Sequence, residues 1–106
     1  QNLNFILMKR MNIKDFKASF SNAEPPADLT VHAKALWYAG KREWDRAHQI
    51  IQEQPDKFSS RIHAFLHRQE GDLSNARYWY DQAGAQMPAL SLEEEWEKLA
   101  EQAISG

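Results

Sequence analysis

Apolar residues recur at steps of three and four along most of the chain. Leu29, Ala33, Leu36 and Trp37 form one stripe, Trp44, Ala47 and Ile51 a second, Phe58, Ile62, Phe65 and Leu66 a third, and Leu73, Ala76, Tyr80 and Ala83 a fourth. That spacing gathers each set on one side of an α-helix and fits no strand, whose side chains alternate every second residue. Pro25-Pro26, Gly40, Pro55, Gly71 and Gly84 fall between the stripes, so the breakers agree with the periodicity. Two flanking stripes complete the pattern. Ile13, Phe16 and Phe20 follow Asn12, a residue suited to capping a helix start. Leu92, Trp96, Leu99 and Ala103 follow Ser91, with Glu94 three positions on as in a capping box. A helix over 91–104 is predicted, and Glu93, Glu94 and Glu95 in its first turn complement its dipole. Six helices and no strand give an all-α protein.

The four central stripes are duplicated. Shifting residues 26–54 by 29 positions onto 55–83 places Pro26 on Pro55, Leu29 on Phe58, Ala33 on Ile62, Leu36 on Phe65, Trp44 on Leu73, Ala47 on Ala76 and Ile51 on Tyr80. Each unit reads as a helical hairpin, and the two are expected to stack. The correspondence breaks where Gly40 meets Gln69 and Arg42 meets Gly71, so the units are expected to share helices but not the turn. Residues 11–106 read as one domain and residues 1–10 as an N-terminal extension, with Met11 as a candidate start. The C-terminal helix does not continue the 29-residue pattern and is expected to cap the open apolar end of the stack.

The second unit resembles a degenerate tetratricopeptide (TPR) repeat, with Ala76, Tyr80, Ala83 and Pro88 following Gly71 in the turn. It departs from that repeat at Ser60, His63 and His67, and in its length of 29 residues. Residues 36–84 are also similar to a family of small TPR-like microbial helical proteins with the signature HAxLHRxEGDxxNAxYWY, carried here by His63 to Tyr80. The resemblance implies stacked hairpins and assigns no activity.

Composition narrows the classes further. Hydrophobic residues make up 42% and charged residues 26%, with four Gly and four Pro, which suits a folded core and excludes collagen-like or disordered chains. There is no cysteine, hence no disulfide and no thiolate metal site. A net charge of −2 argues against nucleic acid or an anionic membrane as partner. The short apolar run Phe5 to Met8 precedes Lys9 and Arg10, the reverse of a secretory signal, so a cytoplasmic location is expected. Charge is uneven: residues 1–68 carry eleven basic and seven acidic groups, residues 69–106 two and eight. This fits either a solvated acidic helix or a homodimer in which the acidic end meets Lys41, Arg42 and Arg46.

Two histidines carry the most chemistry. His63 and His67 stand about 40° apart on one helix, near enough to share a ligand. With Glu70 or His48 as third donor they would form a divalent metal site, the candidate set being His48, His63, His67 and Glu70. The zinc-protease pattern fails because Ala64 stands where its general-base glutamate belongs. The plainer reading holds the pair at a partly buried edge, hydrogen-bonded to Asp72, Asn75 or Tyr80, because Lys34 and Tyr38 occupy the equivalent places in the first unit. Lys34, Tyr38, His63 and His67 would then form a stripe lining a groove for an anionic or amide-bearing ligand, with Asn75 and Tyr78 beside it. Asp72 is expected to cap the helix from Leu73, Gly71 to relax the turn before it, and Tyr78 to be the exposed member of Tyr78-Trp79-Tyr80. No nucleophile–base pattern is visible. The expected function is a protein- or peptide-binding or scaffolding module without a cofactor. The alternative is a small metal- or ligand-dependent enzyme, or a metal-binding protein, using the His63/His67 face.

Overall fold

A computed structural model describes residues 11–105. Its helices are α1 (Ile13–Ala18), α2 (Val31–Gly40), α3 (Trp44–Ile51), α4 (Lys57–Gln69), α5 (Leu73–Gln82) and α6 (Leu92–Ile104), with a 3-10 turn at Ser19–Ser21 after α1. Among the described residues there is no strand, and no helix is long and apolar enough to cross a membrane. The N-terminal extension expected over residues 1–10 lies outside the described residues.

Side-chain caps set most of the helix starts, each satisfying a backbone N–H that the helix leaves unpaired. Asn12 accepts from the Asp15 N–H at 2.7 Å, Thr30 from Ala33 at 3.1 Å, Asp56 from Ser59 at 3.0 Å and Asp72 from Asn75 at 3.2 Å. Ser91 and Glu94 exchange both bonds of a capping box. Only α3 starts without such help, at Glu43.

The helices pair as α2 with α3 and α4 with α5, and their ends respect the 29-residue offset: α2 ends at Gly40 and α4 at Gln69, α3 begins at Trp44 and α5 at Leu73. The turns correspond as well, which corrects the expectation that they would differ. The Arg42 N–H donates to Ala39 O and the Glu43 N–H to Tyr38 O; 29 residues on, Gly71 donates to Arg68 O and Asp72 to His67 O. Arg42 and Gly71 both adopt a left-handed backbone, with φ of 64° and 89°. Closing each helix by these bonds requires that conformation whatever the side chain. Gly40 is not the turn residue. It ends α2 where a Cβ would lie 2.9 Å from the Trp96 ring and closer still to Phe20, so its smallness serves packing.

α6 also departs from expectation. It lies across α2 and α4 and touches α1, rather than closing the end of the stack beyond α5. Trp96 stacks on Phe16 with ring centres 6.0 Å apart, and its indole N–H donates to Leu36 O at 2.8 Å. The shared face of α2 and α4 is therefore core, built on Phe16, Leu36, Trp37, Phe65 and Leu99. Leu73 remains exposed at the outer end.

Candidate functional site: a histidine box and an adjoining cleft

The junction between the hairpins gathers five rings. His63 and His67 point from α4 toward Trp44 and His48 on α3, and Trp79 from α5 closes the other side. The Nε2 atoms of His48 and His63 are 2.9 Å apart, so one donates to the other. His63 stacks on Trp79 at 4.0 Å and His48 on Trp44 at 4.7 Å. The Trp44 indole donates to Leu66 O at 2.6 Å, which pins α3 to α4. His67 Nδ1 meets the Glu70 carboxylate at 2.7 Å, while its Nε2 faces the Asn75 amide at 3.4 Å. Glu70 thereby keeps a proton on His67 Nδ1, so any free lone pair of that ring is on Nε2.

Both α4 histidines are buried, 4% and 6% exposed, which corrects the expected partly buried edge. The cause is α3, whose Trp44 and His48 lie over them. Burial first, then the neighbouring His48 and His67, holds His63 down at about 4; burial and His67 also lower His48. Desolvation penalises the imidazolium, so His48 and His63 are neutral near pH 7. One ring nitrogen from each of His48, His63 and His67 lies within 4.8 Å of the others, and a divalent metal could be held there. Glu70 and Asp72 form a second group with His67, both exposed.

The other expected site residues are dispersed. Lys34 is exposed, and Tyr38 is buried against Trp37 with its hydroxyl 3.5 Å from Glu24 and 3.3 Å from Arg46. Tyr38 thus meets the segment before α2 instead of a preceding hairpin, while Lys34 faces solvent, so the four residues do not converge on one ligand. Asp72 caps α5, and Tyr80 turns away to Glu95. Tyr78 is 54% exposed beside Trp79.

A cleft of about 650 Å³ opens where α1, α2, α4 and α6 meet. Phe20, Phe65 and Trp96 supply its apolar lining, and Lys17, Arg42, Gln69 and Glu93 its polar groups. The Gln69 amide donates weakly to Ala39 O at 3.4 Å, but its buried Oε1 has no hydrogen-bond partner among the described residues. A shallower hollow lined by Arg42, Trp44, Gln69 and Glu70 leads from this cleft toward the histidine box. Sequence reasoning missed the cleft, because it is made by α6 crossing two helices that are distant in the chain. The available signal was Gln69 itself, a polar residue ending a helix where the first unit has glycine. No family model, curated protein or solved structure matches this chain.

Proposed function

We propose that the chain is a partner-binding module made of two stacked TPR-like hairpins, and that it holds a segment of another protein in the cleft between α1, α2, α4 and α6. The observation that carries this reading is the combination of an apolar lining with an unsatisfied acceptor, Gln69 Oε1, and a guanidinium, Arg42, that has no carboxylate partner among the described residues. An apolar side chain would fill the space between Phe20, Phe65 and Trp96. A backbone N–H beside it would satisfy Gln69 once the amide turns out into the cleft, relieving an unmade bond that costs about 1–3 kcal/mol. An acidic neighbour would pair with Arg42. Since α6 covers the shared face of α2 and α4, the partner is read at this cleft and not along that face.

Panning a random peptide library against the full chain tests this. Enriched peptides are expected to carry an apolar residue next to an acid. Their affinity should fall at least tenfold in Arg42→Glu, and it should fall in Gln69→Leu even though that change leaves the fold as stable or slightly more so, since Ala39 O keeps the Arg42 N–H at 3.0 Å. Peptides bound equally well by both variants would refute the cleft as the site.

A further inference from the structure

We propose that the histidine box is a site for one divalent transition-metal ion, held by His48, His63 and the Nε2 atom of His67. The three rings come from two helices that the Trp44 indole already ties together, so the elements that carry the donors are joined before any ion arrives. Tetrahedral coordination at about 2.0–2.1 Å sets nitrogen pairs about 3.3–3.4 Å apart. The 2.9 Å gap between His48 and His63 needs to widen by about half an ångström to meet that geometry. His48 can make this movement, because it is half-buried at the rim and stacked flat on Trp44. Its exposed edge is also the entry path.

Two features favour a ligand over a self-contained hydrogen-bond cluster. The first is Glu70, which takes His67 Nδ1 at 2.7 Å from outside and leaves Nε2, across the ring, as the nitrogen open to a metal. This is the carboxylate–histidine pairing that orients metal-bound imidazoles. The second is a count of protons. With His67 in its Nδ1–H form, the His48–His63 contact uses one proton between two nitrogens, and His67 Nε2 has only the 3.4 Å Asn75 amide. Lone pairs therefore outnumber strong donors in a buried space, and a cation satisfies all three once the donating ring shifts its proton to Nδ1. Neutral imidazoles without thiolate or direct carboxylate suit zinc, cobalt, nickel or copper(II) rather than calcium or magnesium. Three protein donors leave a coordination position for water or a ligand. Trp44 and Trp79 wall the site with rings.

The experiment uses full-length protein without a histidine tag, stripped with a chelator and titrated with Co²⁺, followed by its visible ligand-field absorption and by displacement with Zn²⁺. Saturation at one equivalent is expected. His48→Ala, at a half-buried position, should abolish the band while circular dichroism reports the helices intact. Glu70→Gln should weaken binding about 10–100-fold while circular dichroism stays unchanged. His32→Ala, which alters the separate His32–Asp56 pair, should have no effect. Absence of saturable one-to-one binding, binding that survives His48→Ala, or binding lost only with His32→Ala would each overturn the proposal.

Discussion

In the first hairpin Ala39 and Ile51 are buried apolar residues; at the same places in the second stand Arg68 and Tyr80. Arg68 meets the Glu95 carboxylate at 2.7 Å and also donates to Leu90 O, and the Tyr80 hydroxyl donates to Glu95 at 2.6 Å. Burial, reinforced by the Glu95 carboxylate, pushes the Tyr80 hydroxyl far above its ordinary range, so it stays a donor. One backbone thus supports an apolar junction in one copy and an ionic one in the other. The ionic version exists because α6 passes over α4 and brings Glu95 with it. It fixes where α6 docks, and with it the cleft.

The largest way to break this contrast is to remove Glu95. Glu95→Ala leaves the half-buried Arg68 guanidinium and the buried Tyr80 hydroxyl without their carboxylate and should cost about 3 kcal/mol in urea unfolding. Combining Glu95→Leu with Arg68→Ala and Tyr80→Ile imposes the first hairpin's chemistry on the second and should recover most of that loss, because an apolar replacement removes the desolvation cost together with the pair. A triple variant no more stable than Glu95→Ala would show that the two junctions are not interchangeable.

Acid separates the hairpins next. Lys34, the mate of His63, is exposed, whereas His63 is buried and sits near 4 in the fold against an ordinary 6.5. Between those values the unfolded chain binds a proton that the folded chain refuses. Stability should therefore be complete above about pH 6.5 and fall as pH drops toward 4, by on the order of 3 kcal/mol in metal-free protein. The groups facing His63 are His48 from α3 and His67 on its own helix, with Glu70 behind His67. An NMR titration in which the His63 ring protonates near pH 6.5 would contradict the buried, neutral box.

These asymmetries also mark how far the sequence could be read. Helix positions were legible because the three-four periodicity, the breakers and the caps at Asn12, Asp72 and Ser91 agree, and exposed Tyr78 followed from helix geometry together with the repeat, which pairs it with Gln49 and its two neighbours with Ile50 and Ile51. The docking of α6 was not, since an amphipathic stripe of Trp96 and Leu99 says that a face is buried but not against what. The histidines looked half-exposed because Lys34 served as their guide, and only packing shows that α3 covers them and not Lys34. The spacing of Trp44 and His48, one helical turn apart on the helix facing His63 and His67, was the readable hint of the box.

The smallest expected effect concerns the turns, where the backbones agree and the residues do not. A side chain at φ 64° carries a left-handed penalty of about 1 kcal/mol that Gly71 avoids. Arg42→Gly should therefore stabilise the protein, by about 0.5 kcal/mol once the greater freedom of glycine in the unfolded chain is subtracted. Strain retained at a residue lining both the cleft and the hollow beside it points to a use for its guanidinium. The same variant should thus lose affinity for cleft-bound peptides while gaining stability. A gain in stability with unchanged peptide affinity would leave the strained arginine without a role at the cleft, and a loss of stability would show that the two turns are not equivalent after all.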